Sequence, residues 1–313
     1  MSSLNKSLAP DLIKSGVDEI AFSVWEENPM PQMADVTEQM VFKQDTVENG
    51  AINSVVFKDG GMWTERTDQQ NLAEGNAAEG FLRTVPVRNF AQTLNIPKHF
   101  VDDENYGAMK ELIRRQMLKG RLTNRREAFA TYRNAFTTAT TNQGSPLIST
   151  THTNLNGDIV SNKLTAAFSE KTLDAMLQAL VEQKDQSGDN VGMQPYCLFV
   201  PNRLFKIAAE VLDSDRKQGT ANNDMNIYSA KYGIYLLQSN WIGALNGGSD
   251  TACFLLGKEH TVTRWVRQNV ETFLVPPQYS GNLVYKYMAE FREAWAPLTY
   301  EGIVATDGTT PAL

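Results

Sequence analysis

The sequence predicts an α+β fold, and three stretches carry that prediction. Residues 105–136 hold the longest helical pattern: Met109, Leu112, Ile113 and Met117 form one apolar stripe, and Leu122, Phe129, Tyr132 and Phe136 continue it. Late in the chain two strands of unusual length alternate apolar and polar residues, one from Thr261 to Val275 and one from Leu283 to Trp295. Between helix and strands, Pro146 to Pro201 runs as strand, turn, helix, strand, and a second helix follows through Ala208 to Leu212.

The elements follow in order from local chemistry. Residues 1–35 read as an arm, with a short helix from Ser7 to Ser15 and extended backbone forced by Pro29-Met30-Pro31. Such an arm has too little apolar surface to fold alone and needs a neighbour to dock against. Residues 36–99 read as extended strands around one polar insert: Ile52–Phe57 is a strand, Gly60-Gly61 a turn and Met62–Arg66 a second strand. Thr67 to Gly80 is a polar exposed tip, after which Phe81–Arg88 and Phe90–Ile96 bring the chain back. Phe90, Leu94 and Ile96 share one face, and an isolated two-stranded ribbon of this kind is marginal without a partner. Asp102-Asp103-Glu104 caps the long helix, which is expected to bend or break at Gly120.

The middle segment begins with the extended run Pro146–Thr153 and the turn Asn154-Leu155-Asn156-Gly157-Asp158. Ser169 is placed to cap a helix whose apolar face is Leu173, Met176, Leu177 and Leu180. A polar hairpin-like loop from Asp185 to Gly192 leads to the apolar strand Cys197-Leu198-Phe199-Val200. After a polar loop from Ser214 to Asp224 come strands at Ala230–Leu237 and Thr251–Gly257, with a packed turn at Trp241–Ala244 between them. Pro276 to Asn282 is a stiff turn joining the long strands, and Gly302-Ile303-Val304 is a last strand.

Composition narrows the function. No apolar run approaches the ~18 residues of a membrane span, and Met1 to Pro10 lacks the apolar core of a secretory signal, so the chain is expected to remain in the cytoplasm. Cys197 and Cys253 sit in apolar strands and are expected to be buried, reduced thiols. A net charge of −7 argues against a dedicated nucleic-acid binder. One basic surface opposes that trend: the long helix carries Lys110, Arg114, Arg115, Lys119, Arg121, Arg125, Arg126 and Arg133 against Glu104, Glu111 and Glu127. A cationic face in an acidic protein needs a partner.

No catalytic set, cofactor motif or metal site emerges. His99, His152 and His260 are scattered without ligand spacing, and Ser149 and His152 point to opposite faces of an extended run. Asp185 to Asn190 has the composition of a calcium loop but lacks the downstream bidentate glutamate, so a polar turn accounts for it. No phosphate-binding glycine loop or nucleophile elbow is present.

The order Pro146-Leu147-Ile148-Ser149-Thr150-Thr151-His152, then Asn156-Gly157, then a helix opened by Ser169 and closing on Ala179-Leu180, then Leu198-Phe199-Val200-Pro201, resembles the A-domain of tailed-bacteriophage major capsid proteins, the Hong Kong ninety-seven fold. The flanking chain falls into the same family order. The resemblance implies an N-terminal arm (1–35), an extended loop and start of the P-domain (36–99), a spine helix (100–145) and an A-domain (146–258). The P-domain's long strands (259–294) and a return to the A-domain (295–313) complete it. It implies a non-enzymatic shell protein that assembles with copies of itself as pentamers and hexamers around double-stranded DNA. The shell would form in the bacterial cytoplasm, with separate scaffolding and portal proteins and possibly a decoration protein. Trp63, Arg66, Phe81 and Arg83 become candidate extended-loop contacts, and the helix cations candidate inner-face contacts. An encapsulin-like nanocompartment shell is the alternative. One departure is visible: no lysine lies between Asp59 and Pro97, so the lysine–asparagine cross-link of the family's founding example has no donor on this loop. There is likewise no long N-terminal scaffolding extension in the sequence read here.

Overall fold

The computed structural model describes residues 18–19, 21–25, 34–62, 65, 77–99, 106–190, 192–214, 228, 233–276, 279 and 283–310. The expected helix at Ser7–Ser15, Pro29-Met30-Pro31, Trp63, Arg66, most of the polar tip, the Asp102-Asp103-Glu104 cap, nearly all of the Ser214–Asp224 loop and most of the turn between the long strands lie outside these residues. Among the described residues, no helix is long and apolar enough to cross a membrane.

Among the described residues two larger sheets and two ribbons organise the chain, the smaller ribbon being β5 (His152–Thr153) paired with β6 (Ile159–Val160). The long sheet has the order β1-β11-β12-β4. Its centre is β11 (Val262–Val275) paired antiparallel with β12 (Val284–Pro297), as the alternation of these segments predicts. On one side β4 (Arg88–Pro97) runs antiparallel to β12, setting Phe90 opposite Phe291. On the other, the short β1 (Lys43–Thr46) runs parallel to β11, a pairing that no sequence feature signals.

Helix α2 (Tyr106–Ala128) lies on this sheet. Met109, Ile113 and Met117, one turn apart, bury their side chains with Ile96, Val270 and Tyr287. Each such burial stabilises by roughly 2 kcal/mol. Ala21 and Val24 of the helical residues 21–25 join the same cluster, and Thr272 donates to the Asp18 carboxylate at 2.7 Å. This part of the expected arm therefore docks on its own subunit, because Ala21, Val24 and Trp25 supply the apolar face that composition alone undervalues.

Gly120 does not interrupt the helix. It sits within unbroken α2, and a Cβ there would lie 3.3 Å from Cζ3 of Trp25, so its small size serves the approach of that ring. The break falls instead at Phe129, before the one-turn α3 (Ala130–Arg133), where Phe129 and Tyr132 leave the long sheet and enter a second core. Another departure precedes it: residues expected to be extended begin with helix α1 (Ala34–Val41).

The second sheet has the order β7-β13-β10-β8-β9 and is buried on both faces. Its strands are β7 (Lys163–Ala166), β13 (Ile303–Thr310), β10 (Cys253–Gly257), β8 (Pro195–Pro201) and β9 (Tyr235–Ser239). Continuous apolar runs such as Cys253-Phe254-Leu255-Leu256 are what two-sided burial requires. Leu198, Val200, Cys253, Leu255 and Val304 meet α4 (Glu170–Val181) and α5 (Phe205–Leu212). Ser169 caps α4 as its position predicts, accepting from the Thr172 amide at 3.1 Å. On the opposite face Tyr132 stands edge-on to Phe199 and Phe254, at 5.3 Å from each, and its hydroxyl donates to the Val41 carbonyl at 2.7 Å. Both cysteines are buried and outside any disulfide, Cys253 donating to the Met176 sulfur at 3.9 Å, and burial pushes each thiol up to about 12. Of the strand expected at Ala230–Leu237, Ala230 to Tyr232 lie outside the described residues and Tyr235 to Leu237 fall in the strand Tyr235–Ser239; the packed turn beyond it is a pair of short 3-10 turns.

The larger ribbon consists of β2 (Ala51–Lys58) and β3 (Ala78–Pro86), paired only with each other. Val85 anchors its base among Trp265, Ala294 and Ala296. A second strand within the insert is not seen: Met62 and Glu65, the described residues of that stretch, lie outside strands.

Candidate assembly and nucleic-acid surfaces

The cationic candidates of α2 and α3 separate by exposure. Lys110, Arg114, Arg115, Lys119 and Arg126 are exposed along about 24 Å of helix. The carboxylates of this helix do little to neutralise them. Glu111 pairs with Arg115 at 2.7 Å, and Glu127 turns away to Arg88 on β4, also at 2.7 Å. The result is a basic ridge on a protein of net charge −7. The remaining candidates face inward. Arg125 is buried and pairs with Glu38 of α1 at 2.8 Å. Arg121 is half-buried beside it. Arg133 donates to the Trp241 carbonyl at 3.3 Å; burial and then the nearby Arg126 lower its pKa, with Glu127 opposing.

The ribbon carries the apolar counterpart. Phe57, Met62 and Leu82 expose about two thirds of their surface, while Val56 and Val85 are buried. Of the loop candidates, Phe81 is half-buried, and Arg83 donates to the Pro297 carbonyl at 3.4 Å, its pKa lowered by burial. Trp63 and Arg66 lie outside the described residues. Two polar loops hold the ribbon's far end, opposite the base at Val85. Lys58 donates to the Asn156 side chain, and Ser187 donates to the Asp59 carboxylate at 2.6 Å while accepting from its amide. Close approach is required as well: a Cβ on Gly80 would lie 2.6 Å from the Leu155 methyls. The loop with calcium-like composition serves this contact, since the Asp185 carboxylate is taken up by the Ser187 and Asp189 amides at 2.9 Å.

His152 is not paired with Ser149, as its alternation predicts, but its actual partners are not evident in the sequence. The fully buried ring lies 3.0 Å from Ser145 Oγ and 3.1 Å from Asn162 Oδ1, stacked on Tyr300. Burial pushes its pKa down to about 4, against its bonds to Asn162 and the Leu147 carbonyl. Asn162 in turn donates to Leu147 O at 2.9 Å and accepts from the Ser149 amide at 2.9 Å. Sealed from solvent, this Ser–His–Asn set braces the 145–162 excursion. The turn at Asn154–Asp158 that folds it back was the available signal. His260 is also buried, facing the Met40 carbonyl at 3.2 Å. Among the described residues, no group of three or more His, Cys, Asp or Glu side chains is arranged to hold a metal ion.

Comparison with known proteins agrees with this architecture. Solved structures that match include a chain of Microbacterium phage Oxtober96 (14% identity, TM-score 0.51, covering 91% of this chain and 94% of that one). The procapsid of bacteriophage JBD30 matches at 10% identity and a TM-score of 0.51, over 97% of this chain and 76% of that one. The holo-SrpI encapsulin complex of Synechococcus elongatus matches at 11% identity and a TM-score of 0.53, over 90% of each chain. These identities establish a shared fold, and the fold serves both phage shells and an encapsulin. No curated protein sequence matches. The family model decides between them: it is described as phage capsid protein and matches residues 84–305, from the end of the ribbon's second strand into β13. The chain belongs to the phage capsid protein family.

Proposed function

We propose that this chain is the major head protein of a tailed phage, assembling through pentamers and hexamers into an icosahedral shell that encloses double-stranded DNA. The family match makes it a capsid component. The observation that carries the finer reading is the exposed cationic set of α2, five lysines and arginines along one helix in an acidic protein. Scattered lysine and arginine contacts give weak, salt-dependent, sequence-independent attraction, which suits DNA that is packed and later released. The exposed apolar ribbon supplies the contact with neighbouring copies, where closed symmetry multiplies a weak interface.

The same reading divides the chain into arm (1–35), extended loop and start of the P-domain (36–99), spine helix (100–145), A-domain (146–258), long strands (259–294) and return segment (295–313). The return is supported by β13 joining β10 and β7. Assembly in the host bacterial cytoplasm with scaffolding, portal and decoration proteins belongs to this proposal. The alternative, a nanocompartment shell around protein cargo, shares the fold, as the encapsulin match illustrates.

Size-exclusion chromatography and negative-stain microscopy of the purified protein test both. Closed shells with nuclease-sensitive content are expected. Shells filled with protein would transfer the assignment to the nanocompartment. A monomer that persists at high concentration and on co-expression with the phage's scaffolding protein would overturn the shell reading itself.

A further inference from the structure

The two faces of the ribbon differ in chemistry and in what they touch. Ser54, Val56, Lys58, Arg83 and Val85 lie on one face, and Val55, Phe57 and Leu82 on the other. The register slips between the pairs Val55–Leu82 and Phe57–Glu79, so that Gly80 and Phe81 stand opposite Val56 alone. Glycine marks such a bulge where another part of the chain approaches closely, and here the Leu155 side chain fills the place of its missing Cβ. The first face is held from base to far end by its own subunit. Val85 packs among Trp265, Ala294 and Ala296, Arg83 donates to the Pro297 carbonyl, and the Asn142 amide donates to Ser54 Oγ at 3.0 Å. Beyond them Lys58 meets Asn156, and Asp59 meets Ser187. The two loops of this seat are tied internally and to each other. Asn154 Oδ1 accepts from the Asn156 and Asp158 amides at 3.1 and 2.8 Å, and Asn156 donates to the Ser187 carbonyl. On the other face Phe57 and Leu82 remain exposed.

We propose that the ribbon meets a second copy of this chain without leaving its seat, the first face staying on its own subunit while Phe57 and Leu82 dock. This rests on the reading of the ribbon as the contact between copies, and adds how that contact is presented. A loose two-stranded ribbon is marginal in water and would lose its freedom at every contact it makes. Seating removes that loss in advance, because apparent affinity scales with the fraction of subunits already in the competent form. The division of chemistry points the same way. A ribbon lifted from its seat gives up the bonds of Lys58, Asp59 and Ser54 and exposes Val56, whereas the outer residues are apolar and need only a surface to cover them. In a closed assembly, one preset angle in every copy gives one repeated contact.

The test is Asp59→Cys combined with Ser187→Cys in the full chain, at positions already in contact: Ser187 Oγ lies 2.6 Å from the Asp59 carboxylate and 3.2 Å from its amide. Cys197 and Cys253 are buried and do not compete. Reduced, this variant lacks the Asp59–Ser187 bonds; oxidised, its ribbon is locked in place. Thiol titration and a non-reducing gel of unassembled subunits come first, and loss of both engineered thiols within one chain is expected. Subunits that do not oxidise overturn the proposal, since the ribbon is then not at its seat. The protein concentration at which half the subunits enter shells is next compared in the two states by size exclusion and negative-stain microscopy, with scaffolding protein added if wild type needs it. Locked ribbons are expected to assemble at about tenfold lower concentration than reduced ones, the factor that one charge-assisted hydrogen bond carries. Assembly blocked by oxidation and restored by reductant would show that the ribbon must lift, and equal assembly in both states would show that the seat is irrelevant; either overturns the proposal. Phe57→Asp with Leu82→Asp separates the two levels: if that variant assembles like wild type, the ribbon is not the contact between copies and the underlying reading fails.

Discussion

Glu293→Gln is expected to be among the most destabilising single-atom-scale changes in this protein. Glu293 is 2% exposed on β12 and ties three elements together. It accepts two bonds of 2.7 Å from Arg264 on β11 and one of 3.0 Å from Asn124 on α2. Burial opposes the charge on Arg264, but the hydrogen bonds and field of Glu293 outweigh it, and its pKa is held above the ordinary value. Glutamine retains one acceptor oxygen and no charge, so the guanidinium stays in place without its counter-ion. Breaking a buried pair from one side costs about 3–5 kcal/mol. Arg264 keeps 21% of its side-chain surface in solvent, which places the loss near the low end, about 3 kcal/mol. In a chain of this size that lowers the melting temperature by roughly 6–9 °C. Urea denaturation of unassembled subunits measures it, with Arg264→Met combined with Glu293→Leu as the second corner. Removing both charges is expected to cost less than the single change, because no charge is stranded. A single-variant loss under about 1 kcal/mol would show that the pair is hydrated and that helix and sheet are not held together there.

Three further outcomes follow from the packing. His152 and His260 have folded-state pKa values pushed down to about 4, chiefly by burial, so the unfolded chain takes up protons first as pH falls. His260 also feels the field of Lys43 lowering its pKa, with the Met40 carbonyl and Glu259 opposing. Stability is therefore full above about pH 6.5 and declines toward pH 4, by about 2 kcal/mol per imidazole between pH 7 and 5; a flat urea midpoint over that range would contradict the burial. Gly302→Ala is expected to abolish soluble expression, since φ is +75° and the new Cβ would lie 2.7 Å from His260 Cα. By contrast Gly247→Ala, at φ +86° with no atom within 4 Å, is expected to cost only about 1–2 kcal/mol. If both express equally, backbone crowding at Gly302 is not real. Phe57→Asp with Leu82→Asp is expected to leave subunit melting unchanged and to prevent shells in negative-stain images, whereas intact shells would place the subunit contact elsewhere.

The long elements were legible because their periods are strong. Two strands of fourteen residues and a stripe at Met109, Ile113 and Met117 leave little choice of structure. The Ser169 cap was legible because capping is local. What was hidden depends on partners far along the chain. Gly120 reads as a breaker until Trp25 is seen beside it, and Arg125 reads as surface charge until Glu38 is found 2.8 Å away. The basic ridge was therefore visible as a composition, while its division into five exposed cations and three inward ones required the fold. The Ser145–His152–Asn162 set was missed for a related reason: its members lie seven and ten residues from the histidine, joined across a reversal that alternation along one strand does not reveal.

The position of β13 has a consequence for synthesis. The strand lies between β7 and β10, in the interior of its sheet, although it is the last element described. Ile303, Val304 and Ala305 are fully buried there and contribute to both faces of the core. While Ile303–Thr310 is still inside the ribosome, β10 has an unpaired edge and the sheet exists as two unconnected parts. A nascent chain, or one released by premature termination before Ile303, thus lacks a middle strand rather than an outer one. Closure of this core therefore waits until Ile303–Thr310 has been made, and a chain cut short before that point cannot join β7 to β10.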